Sequence, residues 1–406
     1  MSGLEVGLGL AFGLAGSWVA ADAVYLAALA GAASFYRPPP RTKPRTRLVV
    51  LVPAHDEAES IAECIRSLAV QTYPSSLYDV VVVADNCSDE TAAIARRAGA
   101  EALVRHEPDR PGKGQALAWA FERLDEREPR PDGAVVVDAD SIADPDFLTA
   151  LVAPFDRGAQ AVQGESLLRD DGTPAARLRA IAFLLVNRVL PAGRTVLRVP
   201  GSLAGNGMLL SHALVRALPW DAFTSTEDVE YSAKLRLAGI NPAFAGGAIL
   251  RSPTAPTAEA ARQQQLRWEG GKLNVARTQL RRFLTRALRE RRPSLAAAAF
   301  DLAVPPTGLL AAAAVGGIVP AAALYGLGVL PLWSLAPWVV ALVAMPLYVL
   351  AGLRAARAPR WAYRTLVHAP LFVAGKTLSA HRLLAFRPDT WVRTERSATD
   401  DASPSS

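Results

Sequence analysis

This sequence predicts an α/β domain on a mostly parallel sheet, flanked by helices that cross a membrane. Three observations carry that expectation. Residues 6–36 are apolar except for Asp22, and residues 302–353 hold no charged side chain at all. Between these runs, short β-branched stretches alternate with segments of helical spacing, the pattern of parallel strands joined by crossover helices. The stretch Ala134-Val135-Val136-Val137 then stops on Asp138-Ala139-Asp140. Aspartate is depleted inside strands, so an apolar run ending in two of them marks a strand's C-terminus, the edge where open α/β sheets bind ligands.

The charge distribution supports the membrane reading. The formal net charge is +6, but residues 37–47, 277–292 and 354–364 together carry +15 and leave the remainder at −9. Each basic stretch abuts an apolar one, where the positive-inside rule and anionic lipid headgroups place Lys and Arg. This argues against nucleic acid and for membrane lipids as a partner. It predicts a multi-pass protein of the cell membrane whose central domain is cytoplasmic. The two cysteines, Cys64 and Cys87, have no CxxC spacing, so no disulfide framework or zinc site is expected.

The elements follow in order. Residues 1–36 form a first membrane helix: at about 1.5 Å per residue it exceeds a hydrocarbon core of roughly 30 Å. Glu5 ahead of the run and basic residues behind it do not fit a cleaved signal and put the N-terminus outside. Asp22 is either a functional intramembrane carboxylate or faces other helices near the interface. Residues 37–46 are a basic, proline-rich linker. The α/β domain spans 47–292, with strands expected at 48–53, 80–84, 102–105 and before Asp138, and helices at 58–70, 90–98, 113–124 and 229–238. Residues 293–353 form a membrane hairpin with its turn near 326–331, giving three spans in all. Residues 354–396 are a cytoplasmic or interfacial segment, in which 365–386 is apolar yet contains His368, Lys376, His381 and Arg382. That mixture suits an interfacial helix. Residues 397–406 read as a disordered tail.

Several side chains could carry chemistry. Asp138 and Asp140 offer hard oxygen donors to Mg²⁺ or Mn²⁺. The first strand ends at Pro53-Ala54-His55-Asp56-Glu57 and the second at Asp85, so Glu57 and Asp85 can accept hydrogen bonds from a base or ribose, or merely cap the next helix. Lys113, in Pro111-Gly112-Lys113-Gly114 before a helix, can meet a phosphate but lacks the P-loop spacing. Thr226-Glu227-Asp228 opens a helix, with Thr226 as its expected cap and Asp228 as a candidate general base. Gln264, Arg267 and Trp268 share a helix face, combining a guanidinium fork for a diphosphate with an indole for a sugar ring.

This set, in this order, resembles the family 2 glycosyltransferases, membrane enzymes of GT-A fold that include cellulose, chitin and hyaluronan synthases and ceramide glucosyltransferase. The motifs that carry the likeness are Val52-Pro53-Ala54-His55-Asp56-Glu57, Asp138-Ala139-Asp140, Thr226-Glu227-Asp228 and Gln264-x-x-Arg267-Trp268, within residues 47–275. The resemblance implies a nucleotide-sugar donor, UDP-linked, held by Pro53, Glu57, Asp85, Lys113, Asp138, Gln264 and Arg267. It implies a divalent ion on Asp138 and Asp140, catalysis by Asp228 with Glu227 and Arg267, and an acceptor, lipid or growing polysaccharide, beside Trp268 and the Asn206-Gly207 loop. The expected function is inverting sugar transfer at the membrane. A processive synthase is the variant reading, although three spans are few for a polymer channel. A silent scaffold that binds nucleotide sugar is the alternative from another class. A nicotinamide enzyme is not expected, since no G-x-G-x-x-G follows the first strand.

Overall fold

The structure, a computed structural model, describes residues 3–169, 172–255 and 257–375. The tail expected at 397–406 and the part of the 365–386 segment beyond 375 lie outside the described residues. Eight strands form one sheet: β1 (Leu48–Ala54), β2 (Tyr78–Asp85), β3 (Glu101–Arg105), β4 (Gly133–Val136), β5 (Ile142–Ala143), β6 (Ala161–Leu168), β7 (Met208–Ser211) and β8 (Ala243–Ser252). Their order is β3-β2-β1-β4-β7-β6-β8-β5. Only β7 and β5 run against the rest, so the sheet is mostly parallel, as expected.

The central strands are covered on both faces, which is why they read as unbroken Val and Leu runs rather than as an alternation. On one face lie α2 (Ile61–Ala69), α3 (Thr91–Arg97) and α5 (Phe147–Phe155). On the other lie α4 (Lys113–Glu122), α8 (His212–Ala217) and α9 (Glu227–Leu237). Cys64 is fully buried in the first of these cores, a packing residue whose thiol burial pushes up.

The apolar ends form the helices α1 (Gly3–Ala33), α12 (Thr307–Gly326) and α13 (Ala336–Ala355), and α1 packs along α13. The hairpin therefore turns where expected. A fourth helix is also long and apolar enough to cross a membrane, by length and composition: residues Pro174–Leu197. It comprises α6 (Pro174–Leu184), a π-helical turn at Leu185–Val189 and α7 (Leu190–Leu197). It lies inside the α/β domain, between β6 and β7, where the sequence predicts no span. Both of its ends are bound to that domain: β6 leads in, and Arg236 of α9 donates to the carbonyls of Gly201 (2.6 Å) and Pro200 (3.1 Å) just beyond it. Along its length it packs on β6 and β8 as well as on α1. Gly193 sets its contact with α1, because a Cβ there would lie 2.1 Å from the Leu29 carbonyl oxygen.

The remaining helices are α10 (Ala258–Arg289), α11 (Pro293–Ala303) and α14 (Arg360–Thr365). α11 was expected in the membrane hairpin; it packs instead on α10 around Val275, Phe283 and Leu295. Its Asp301 accepts from Arg194 of α7 (2.9 and 2.7 Å), Arg236 of α9 (3.3 Å) and the Tyr25 hydroxyl of α1 (3.1 Å). This buried node joins four helices where the α/β domain meets α1. Asp22 is completely buried and accepts no hydrogen bond among the described residues; its charge is felt by Lys272 of α10.

Candidate active site

Because β1, β2 and β4 are parallel, their C-terminal ends share one edge of the sheet, and antiparallel β7 brings the residues before it to the same edge. β4 ends at Val136, but the Val137 amide still donates to the Leu51 carbonyl (3.0 Å), so Asp138 emerges from a fixed backbone. Asn206 holds the turn that follows. Its side-chain carbonyl oxygen accepts from the Asp138 amide (3.1 Å), and its amide nitrogen donates to Ser141 (2.9 Å) and Ser252 (3.2 Å). Gln163 clamps the same loop by donating to the Asn206 backbone carbonyl (2.7 Å) and accepting from the Ala204 amide (2.8 Å). Gln163, Ser141 and Ser252 carry no signal in the sequence; only their convergence on Asn206 gives them a role. Asn206, expected beside the acceptor, reaches the site as the residue that sets Asp138. Gly207, at φ +74°, ties β4 to β6 by donating to the Val136 carbonyl (2.9 Å) and accepting from Gly164 (2.8 Å).

Lys113, at the start of α4, is the hub. Its ammonium donates to Asp138 (2.5 Å) and the Gly205 carbonyl (3.0 Å) and lies 3.6 Å from Glu227. Burial opposes its charge, yet Asp138 and Glu227 hold it above its usual range. Asp140 stands beside Asp138, and burial together with the Asp138 charge pushes its carboxyl up to about 6. Asp228, in the first turn of α9, is pushed up to about 7 by burial and then by Glu227. Asp138, Asp140, Glu227 and Asp228 thus gather around Lys113, a local concentration of negative charge that would favour a divalent cation. Asp138 and Asp140 suit such an ion as hard oxygen donors, and it would relieve their mutual repulsion.

Thr226 occupies the position before α9, but its hydroxyl makes no capping bond, contrary to expectation. The side chain is pressed against Gly271 of α10 instead, where a Cβ would meet it at 2.2 Å. Only a residue without a side chain lets α10, with Gln264, Arg267 and Trp268, approach the helix that carries Asp228. Burial lowers the Arg267 guanidinium while Glu227 acts the other way, and Trp268, 41% exposed, tilts against Phe183 at 5.3 Å.

Two cavities meet at this centre. One, of about 660 Å³, is lined by Pro53, Glu57, Asp85, Lys113 and Arg267. The other, of about 370 Å³, includes Asn206, Asp228 and Lys272. Lys113, Asp138, Asp140, Glu227, Gln264 and Trp268 line both. In the first cavity Asp85 is fixed by Arg105 (2.5 Å), and Glu57 accepts from Ser60 (2.6 Å). A further acidic group, Asp56, Cys87 and Asp89, could gather around an ion, but Asp56 already accepts from the Ser88 amide (2.7 Å) and Asp89 from Thr91 (2.5 Å).

A family model described as "Glycosyltransferase like family 2" matches residues 44–271, more than half of the chain and all four motifs. The chain belongs to this family. The match runs from just before β1 into α10 and leaves the apolar helices α1, α12 and α13 outside it. Glycosyltransferase AglD of Haloferax volcanii is 33% identical over 153 residues, covering 36% of this chain and 24% of that protein. Hyaluronan synthase of Streptococcus pyogenes is 32% identical over 136 residues, 30% of each chain. Beta-monoglucosyldiacylglycerol synthase of Trichormus variabilis is 28% identical over 196 residues, 46% of this chain and 41% of that protein. The chain thus spans less than half the length of these relatives. Among solved structures, mannosyltransferase PcManGT from Pyrobaculum calidifontis, in complex with GDP-Man and Mn²⁺, aligns over 84% of this chain and 99% of its own, at 21% identity and a TM-score of 0.48.

Proposed function

We propose that this family 2 glycosyltransferase is a membrane-bound inverting hexosyltransferase that takes its sugar from a nucleoside diphosphate, UDP-linked, and works at the cytoplasmic face of the cell membrane. The acceptor is a lipid or a growing polysaccharide; relatives named for each product exist. The observation that carries the reading is Lys113 set between Asp138 and Glu227 on the wall shared by two cavities, with Asp228 beside it.

The larger cavity takes the donor. Asp85 and Glu57 meet the nucleoside, and Lys113 and Arg267 meet its diphosphate. A Mg²⁺ or Mn²⁺ ion held by Asp138 and Asp140 would add Lewis-acid neutralisation of the departing diphosphate. Arg267 strengthens its hold as negative charge builds on that leaving group. Asp228 takes the proton of the acceptor hydroxyl as its oxygen attacks the anomeric carbon from the opposite face. One base and no covalent intermediate give inversion.

The test incubates membranes containing the full chain with a panel of radiolabelled nucleotide sugars and Mg²⁺ or Mn²⁺, then sizes the product. Transfer from one UDP-sugar in a single addition is the expected result. A ladder of products would mark a processive synthase. UDP binding without any transfer would leave a silent binding scaffold and overturn the proposal.

A further inference from the structure

A third cavity, of about 250 Å³, opens where the domain meets the membrane helices, between Leu26 of α1, Phe183, Val186, Trp268 and Pro305. It continues into the Asp228 cavity, since Gln264, Trp268 and Lys272 line both. Its wall is mainly apolar, yet it contains Arg179 and Lys272, and among the described residues neither has a hydrogen-bond or close ion-pair partner. Of the two acids that line the cavity, Asp301 is already engaged by Arg194 and Arg236, and Glu269 accepts from Gln265 (2.6 Å). Burial holds the Lys272 ammonium below its usual range even though Asp301 and Asp22 act to raise it. Two half-buried cations without close counterions among the described residues, on the wall of an apolar cavity, suit an anion attached to hydrocarbon.

The chemistry at Asp228 narrows that anion further. A general base has work to do only if the nucleophile carries a proton, and a phosphate monoester is largely ionised near neutral pH. The attacking group must therefore be a hydroxyl, set apart from the charged group.

We propose that this cavity binds the acceptor and that the acceptor is a phospholipid with a hydroxylated headgroup. Its phosphate sits at Arg179 and Lys272, its chains lie along the apolar wall toward the membrane, and its hydroxyl passes Trp268 to Asp228. This rests on the transferase reading. In the step itself the headgroup oxygen bonds to the anomeric carbon and its proton goes to Asp228. The bond from that carbon to the diphosphate breaks, and the nucleoside diphosphate leaves with the electron pair.

The experiment measures binding to the purified full chain in detergent, with no turnover required. The probes are dioctanoyl phosphatidylglycerol, dioctanoylglycerol and glycerol 3-phosphate. The phospholipid should bind about tenfold or more tightly than the neutral lipid, and glycerol 3-phosphate should not bind in the same range. Arg179→Met and Lys272→Met should each remove most of that preference while leaving dioctanoylglycerol unchanged. Val186→Trp, which fills the apolar wall, should weaken both lipids. UDP affinity, measured on every variant, reports that the domain has folded. Equal affinity for the two lipids, or full preference in the Arg179→Met/Lys272→Met double variant, overturns the proposal. Glycerol 3-phosphate binding as tightly as the phospholipid shows a headgroup site without a lipid and overturns it as well. Failure of the wild type to bind UDP would strike the donor reading alone.

Discussion

Replacing Asp228 by Asn tests the proposed chemistry most directly, because the structure predicts two effects of opposite sign. The Asp228 Oδ1 atom accepts from the Val229 amide at 2.8 Å, and an Asn carbonyl oxygen can accept the same bond, so α9 keeps its first turn. The basicity is lost. A positioned base contributes typically 10²–10⁴-fold, so kcat should fall by about that factor, or roughly 3–5 kcal/mol of barrier at 1.36 kcal/mol per tenfold. Stability should move the other way. Burial and Glu227 raise the Asp228 carboxyl from 3.8 to about 7, so the folded state holds its proton more tightly than the unfolded chain does. The cost of its ionised form is fully present above pH 7 and disappears as pH falls toward 3.8. A neutral amide in its place does not bear that cost, and the variant should be more stable than wild type at pH 8, on the order of 1–3 kcal/mol after allowance for water and Lys113. The gain should shrink at pH 5. The assays are sugar transfer with the donor found in the nucleotide-sugar panel and thermal unfolding in detergent without divalent ions. Wild-type transfer should rise as pH passes about 7, and the variant's residual rate should not. A variant active within about threefold of wild type would refute the base assignment, and one destabilised at pH 8 would refute the raised Asp228 carboxyl.

Other changes test the surrounding parts. Asp138→Ala and Asp140→Ala should each abolish transfer and weaken divalent-dependent UDP binding in calorimetry, whereas Asp228→Asn should leave that binding intact. Gly271→Leu would drive a Cβ into Thr226, which lies 2.2 Å from that position, and should cost about 1–3 kcal/mol by overpacking. It should lower transfer more than UDP binding, since it displaces Trp268 and Arg267 relative to Asp228. Asp301→Ala leaves Arg194 and Arg236 buried without their acid, a change worth roughly 3–5 kcal/mol. Its melting temperature in detergent should drop well below that of a surface change such as Glu259→Ala.

Local pattern made much of this protein legible. The strands ending at Ala54, Asp85 and Val136 follow from apolar runs that stop on acids, because a strand buried on both faces cannot carry charge until it leaves the sheet. The hairpin of α12 and α13 follows from a charge-free stretch of the right length. What escaped notice lay in contacts between distant residues. Gln163, Ser141 and Ser252 are common surface residue types until the sheet closes over them, and Asn206 gains its hold on Asp138 only there. The helix Pro174–Leu197 was hidden because its apolar side faces α1 and other helices rather than one continuous lipid phase, and its arginines break the expected hydropathy.

The sequence alone determined which side chains are available for chemistry and the order in which strand ends present them, since both depend on neighbours a few residues apart. Only the tertiary structure decided that Lys113 lies between Asp138 and Glu227, that Thr226 seats α10 instead of capping α9, and that Asp301 belongs to a four-helix node rather than to a membrane span. The reason is the strand order. Placing β4 beside β1 and turning β7 antiparallel brings residues far apart in the chain to one edge, and no local periodicity encodes that distance.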